Sequence, residues 1–121
     1  MRNQPEYKFF KNWSYALAGW REIYANERSF RLEIFIFAPA AASLIFWNFG
    51  ATLNLFIIFS MALVLILECV NSAIERVVDL ASPGIHALAG AAKDAGSASV
   101  MIGNFLAGGV WAWAIFSKIL A

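Results

Sequence analysis

The residues best equipped for chemistry lie in one run, Glu68-Cys69-Val70-Asn71-Ser72-Ala73-Ile74-Glu75-Arg76-Val77-Val78-Asp79. At about 100° per residue, Asn71, Ser72, Glu75 and Asp79 all fall within about 60° of Glu68 on a helix. The spacing therefore predicts one helix with an acidic, polar stripe. Leu67, Val70, Ile74, Val77 and Val78 take its other side. Glu68 directly follows the apolar stretch 61–67, which places it at the boundary of a membrane segment. An ionisable group there is costly and marks a functional candidate by default. It could accept a proton from a substrate, or pair with a basic residue of another helix. Glu75 and Asp79, one turn apart, could equally form a solvated face.

Two further clusters carry charge. In Ala91-Ala92-Lys93-Asp94-Ala95-Gly96-Ser97-Ala98-Ser99, the lysine could neutralise phosphate oxygens. Asp94 could hold a base, a metal or another side chain, and the small residues would let a ligand approach. The plain alternative is an interfacial Lys–Asp flank. In Asn26-Glu27-Arg28-Ser29-Phe30-Arg31-Leu32-Glu33, Asn26 is placed to cap a helix, and Glu27 and Arg31 stand at i,i+4. No Walker-type loop, Gly-x-Gly-x-x-Gly, His-Glu-x-x-His or Cys-x-x-Cys occurs. His86 is the only histidine, so any metal would be a hard cation held by carboxylates, with Mg²⁺ the first choice.

The elements that position these residues follow from composition. Of 121 residues, 61% are hydrophobic and 14% charged, where a soluble domain has about 25% charged. No charge falls between Glu33 and Glu68, or between Asp94 and Lys118. Both runs exceed the roughly 18 apolar residues that read as a membrane span. About 20 residues cross a hydrocarbon core of roughly 30 Å, so the longer run holds two spans. Asn48-Phe49-Gly50, with Thr52 and Asn54 beyond, divides it. The expectation is an all-α membrane protein with spans at about 33–47, 52–70 and 96–117, and a cytoplasmic extension and loop over 71–94. Pro39 falls inside the first span, where a helical bundle can absorb it. Gly103, Ala107, Gly108, Gly109 and Ala112 suit close helix packing in the third, and Trp111, Trp113 and Phe116 mark an interface near its end.

Residues 1–32 are mixed and charged, unlike a cleavable signal peptide. Phe10, Trp13, Leu17, Trp20 and Tyr24 share one helical face, which predicts an amphipathic helix lying in the membrane interface. A helix packed on a soluble core is the alternative. Arg2, Lys8, Lys11, Arg21, Arg28 and Arg31 fall on the same side as Arg76 and Lys93, and only Lys118 lies opposite. The positive-inside rule then makes the N-terminus and 71–94 cytoplasmic. A single cysteine, Cys69, excludes a disulfide scaffold, and a net charge of +1 argues against nucleic-acid binding.

The long motif from Glu68 to Asp79, followed by Ala-Lys93-Asp94-Ala-Gly96-Ser97-Ala, resembles the signature of the bacterial integral-membrane diacylglycerol kinases, a family that includes undecaprenol kinases. Asn26-Glu27 with Phe30-Arg31 resembles its N-terminal motif, and Tyr15, Gly19 and Arg21 also fit. The resemblance implies an ATP- and Mg²⁺-dependent lipid kinase, a homotrimer in the bacterial inner membrane with sites between subunits. It implies Glu68 as catalytic base with Asn71 beside it, and Glu27 and Glu75 as magnesium ligands. Tyr15, Asp79, Lys93 and Asp94 would surround the nucleotide, with His86 in a segment that touches it. Two departures stand out: Lys8 replaces a frequent arginine, and Pro83-Gly84 replaces a glutamate that often contacts the nucleotide. The Lys-Asp-Ala-Gly-Ser form resembles the diacylglycerol branch more than the undecaprenol one. A non-enzymatic scaffold or small transporter is the remaining alternative.

Overall fold

The computed structural model describes residues 6–121. Arg2, counted above among the basic residues, lies outside them. The described residues form four helices: α1 (Phe9–Asn26), α2 (Arg28–Trp47), α3 (Ala51–Ala81) and α4 (Ala87–Leu120). The last three are long and apolar enough to cross a membrane, so the chain is an all-α membrane protein. With 31 and 34 residues, α3 and α4 extend about 46 Å and 51 Å. Both exceed the roughly 30 Å hydrocarbon core, and all their charged residues except Lys118 lie toward one end.

One residue separates α1 from α2. Glu27 has extended backbone (φ −102°, ψ 111°), although its N–H still bonds to Ile23 O at 2.8 Å. The expected capping by Asn26 does not occur. Asn26 is still helical, and its Nδ2 turns back to Glu22 O and Oε1 at 2.9 and 2.8 Å. Nor do the Glu27 and Arg31 side chains pair. The Arg31 guanidinium donates instead to the Tyr24 and Ala25 carbonyls, both at 2.8 Å, where the end of α1 leaves acceptors unused.

The turn at Asn48-Phe49-Gly50 is built as expected. Asn48 is left-handed (φ 54°), and Gly50 takes φ 94° with ψ 158°, a conformation in which a side chain would be strained. α2 runs unbroken through Pro39. Trp47 stacks on Phe49 at 5.2 Å, and Trp111 meets Phe49 edge-on at 6.2 Å, closing this end of the bundle.

The core lies mainly between α3 and α4. Ile57, Met61 and Val64 of α3 are buried with Ala107 and Ala114 of α4, and Leu44 joins from α2. Gly103 sets the approach: a Cβ there would stand 2.8 Å from Leu67 Cδ1. Of the small residues expected to pack closely, Gly103 and Ala107 do so within the chain, whereas Gly108, Gly109 and Ala112 stay exposed. At about 100° per residue they rotate away from α3. In α1 no residue is buried. Phe10, Trp13, Leu17, Trp20 and Tyr24 remain exposed, and Trp20 touches the body edge-on at Phe30. An uncovered aromatic face suits a membrane interface and contradicts packing on a soluble core.

Candidate active site

The stripe on α3 faces the start of α2 and the first turns of α4, and burial grades along it. Glu68 and Ser72 are buried at 8% and 3% exposure, Asn71 and Glu75 are half-buried, and Asp79 is open. Ser72 Oγ donates to Glu27 Oε1 at 2.7 Å, tying the α1–α2 break to the middle of the stripe. Asn71 Nδ2 donates to Glu75 Oε1 at 3.2 Å. Ser29 Oγ reaches Glu68 Oε2 at 3.4 Å. Glu27 and Glu75 are both close enough for their charge to act on Glu68. Glu27 and Ser72, 45 positions apart, thus meet on one turn of α3 because α2 begins beside it.

Glu68 has no basic partner among the described residues. Ion pairs among the described residues join Lys8 to Glu6, Arg76 to Glu22 and Glu27, and Lys93 to Asp79. The structural ion-pair alternative for Glu68 is therefore not realised. Gly96 lets α4 pass against this turn, since a Cβ at that position would collide with Asn71 Oδ1.

Farther out, Asp79, Pro83, Gly84, His86 and Lys93 line a cleft of about 320 Å³ between the end of α3 and the start of α4. His86 caps α4: its Nδ1 accepts the Leu88 N–H at 3.1 Å. The hydrogen bond to Asp79 holds the Lys93 ammonium above the ordinary lysine pKa. Glu22 does the same for the Arg76 guanidinium. A helix N-terminus and a firmly protonated lysine on one cleft suit an anionic ligand. Asp94 is exposed beside Lys93 and does not line the cleft, and neither does Tyr15 on α1 or Lys8 at its N-cap.

Glu27 and Glu75 offer hard oxygen donors, each with one oxygen engaged by a neutral side chain. Arg76 Nη2 also stands 3.4 Å from Glu27 Oε1. Among the described residues no group of three or more His, Cys, Asp or Glu could hold a metal. A cation here would complete its shell from phosphate and water oxygens. That is the habit of Mg²⁺ at nucleotide sites, so the two glutamates fit it.

Sequence reasoning missed three contributors. Ser29 read as an ordinary helix residue. Glu33 counted only as the edge of an uncharged run, yet it stands one turn after Ser29, the residue that bonds Glu68, on the same face of α2. Asn104, whose Nδ2 donates to Glu33 Oε1 at 3.2 Å, is the one amide side chain between Asp94 and Lys118. That isolation was the available signal.

The family described as prokaryotic diacylglycerol kinase matches residues 14–115. The chain is 38% identical over 102 residues to a diacylglycerol kinase of Haemophilus influenzae, covering 84% of this chain and 86% of that one. It is 36% identical over 110 residues to the diacylglycerol kinase of Escherichia coli, covering 91% and 90%. A diacylglycerol kinase of Sinorhizobium is 36% identical over 101 residues, covering 82% and 71%.

Proposed function

The chain belongs to the prokaryotic diacylglycerol kinase family and is a lipid kinase, and from that premise we propose that it phosphorylates diacylglycerol at the membrane interface. ATP gives up its γ-phosphoryl group. The lipid hydroxyl oxygen forms the new P–O bond as the bond to the ADP oxygen breaks, and the products are phosphatidic acid and ADP. Glu68 takes the hydroxyl proton. The observation that carries this reading is a buried Glu68 with no cationic partner among the described residues, at the boundary of the apolar segment where a lipid hydroxyl resides.

Phosphoryl transfer asks mainly for positioning and charge neutralisation. Glu27 and Glu75 would hold Mg²⁺, which when bound offsets the polyphosphate charge. Asn71 keeps Glu75 in place through its amide. Lys93 and the N-terminus of α4 face the phosphates from the cleft, with Asp79, His86 and Asp94 around the nucleotide. Tyr15 would join them from α1. The scaffold and transporter alternatives fall with membership of a kinase family.

The same reading places the protein in the bacterial inner membrane with its N-terminus in the cytoplasm. Arg21, Arg28, Arg31, Arg76 and Lys93 stand at the active-site end, and Lys118 stands at the other, where its Nζ donates to Asn48 O at 3.4 Å. The exposed Gly108, Gly109 and Ala112 leave faces on α4 for neighbouring subunits, which supports the homotrimer that the family resemblance implies.

The test is a phosphorylation assay of purified protein in mixed micelles with ATP and Mg²⁺, offering diacylglycerol and undecaprenol side by side. Preferential phosphorylation of diacylglycerol is expected. Phosphorylation of undecaprenol alone would move the substrate to the other branch, and no lipid-dependent ADP release would remove both.

A further inference from the structure

The polar network continues beyond the residues the mechanism uses. Glu68 lies eleven residues before Asp79, and Asn104 lies eleven residues after Lys93. The Asp79–Lys93 pair fixes the register of the antiparallel helices α3 and α4. Equal steps of roughly 16 Å along each then bring Glu68 and Asn104 to the same depth. Asn104 occupies an open face of α4, and its amide Nδ2 turns to Glu33 Oε1 at 3.2 Å. Ser29, one turn before Glu33 on the same face of α2, reaches Glu68 Oε2 at 3.4 Å, which sets Glu33 beside Glu68, and the second Glu33 oxygen, Oε2, is buried with no donor facing it.

A lone amide in an apolar span is unfavourable unless its hydrogen bonds are met. Packing of α4 on α3 does not call for it, because Gly103 and Ala107 already make that contact. Two carboxyl groups side by side also need something to hold the outer one in place, since their charges push them apart. Ser29 serves Glu68, and Asn104 serves Glu33.

We propose that Asn104 is a positioning residue for phosphoryl transfer: its amide fixes the Glu33 carboxyl against Glu68 and thereby orients the base toward the lipid hydroxyl. This rests on the reading of Glu68 as the base. Asn104 touches neither lipid nor nucleotide in this role, so the effect belongs to kcat and to the pH–rate profile rather than to nucleotide affinity.

The test is a double-mutant cycle on full-length protein in detergent, with Asn104→Leu, Glu33→Gln and the double variant. Measurements are kcat, KM for ATP, the pH–rate profile and thermal unfolding. Asn104→Leu is expected to lower kcat about tenfold with KM for ATP unchanged, within the coupling that contacting residues show. It should shift the pH–rate profile and have no further effect once Glu33 is Gln. Asn104→Ser, which keeps a donor, should recover part of the rate. An unchanged kcat in Asn104→Leu, or an equal fractional loss with and without Glu33, overturns the proposal. If Asn104→Leu fails to fold, Asn104→Asp keeps the shape but replaces the donor, and it must show the same kcat loss or the proposal falls. Glu68→Gln run alongside separates the two readings. An active Glu68→Gln removes the base assignment, whereas an inactive one beside a fully active Asn104→Leu removes only the positioning role.

Discussion

Asp79 on α3 and Lys93 on α4 form an ion pair that bridges two antiparallel helices at the mouth of the cleft. Exposed pairs of this kind add little stability. Their worth here is positional, because Asp79 holds the Lys93 ammonium over the space that His86 and Gly84 line.

Replacing Lys93 by Met should therefore separate function from folding. We expect KM for ATP to rise and kcat to fall, together by about 10²–10³-fold in kcat/KM, the scale for losing one preorganised charge contact. Thermal unfolding should shift little. Steady-state kinetics beside a melting curve checks this, and a lowered melting temperature with normal kinetics would make the pair a structural clasp only.

Glu68→Gln keeps shape and burial while removing the proton acceptor. The variant should fold, bind nucleotide and turn over at least about 10²-fold more slowly, since general bases contribute about 10²–10⁴-fold. A variant that retains more than about a tenth of wild-type kcat, measured in saturating lipid and ATP, sinks the assignment of Glu68 as base.

Much of this site was legible because a helix repeats every 3.6 residues. Glu68, Asn71, Ser72, Glu75 and Asp79 had to share a face, and the structure places that face against α2 and α4. The three crossings were legible from the uncharged runs, and their join from Asn48 and Gly50. What depended on chain crossings was not. Asn26 looked like a cap because capping is a local rule, but the break fell one residue later, at Glu27. Glu33 and Asn104, 71 positions apart, could be paired only once the register of α2 against α4 was known. Arg31 looked like a partner for Glu27, but the unused carbonyls at the end of α1 were the nearer acceptors.

Gly96 tests the close approach of α4 to α3. An alanine there would meet Asn71 Oδ1, the free end of a side chain, so the helices need not part. The cheaper response is rotation of Asn71, which breaks its bond to Glu75. Gly96→Ala should thus cost roughly 1–3 kcal/mol of stability at most. Its loss of kcat should match that of Asn71→Ala. Adding Gly96→Ala to Asn71→Ala should do almost nothing further, and a fully additive pair would refute the shared mechanism.

Glu27 and Glu75 as joint holders of Mg²⁺ make a prediction that a solvated face does not. Each keeps one oxygen on a neutral donor, Ser72 or Asn71, which aims the carboxylate without neutralising it. Mg²⁺ usually takes one or two carboxylates and completes its octahedron with phosphate and water. Changing either glutamate to Gln should raise the Mg²⁺ concentration needed for half-maximal activity, in addition to lowering kcat. Glu27→Gln carries a second signature, since Arg76 stands beside Glu27 as well as Glu22. Arg76→Met frees Glu27 of that competing cation, so it should lower the Mg²⁺ requirement while Glu27→Gln raises it. Surface substitutions without such a role usually shift stability by less than about 0.5 kcal/mol and leave metal dependence alone. A Mg²⁺ titration of the three variants decides the matter: if Glu27→Gln and Glu75→Gln both keep the wild-type curve, the metal assignment fails, whatever Glu68→Gln does.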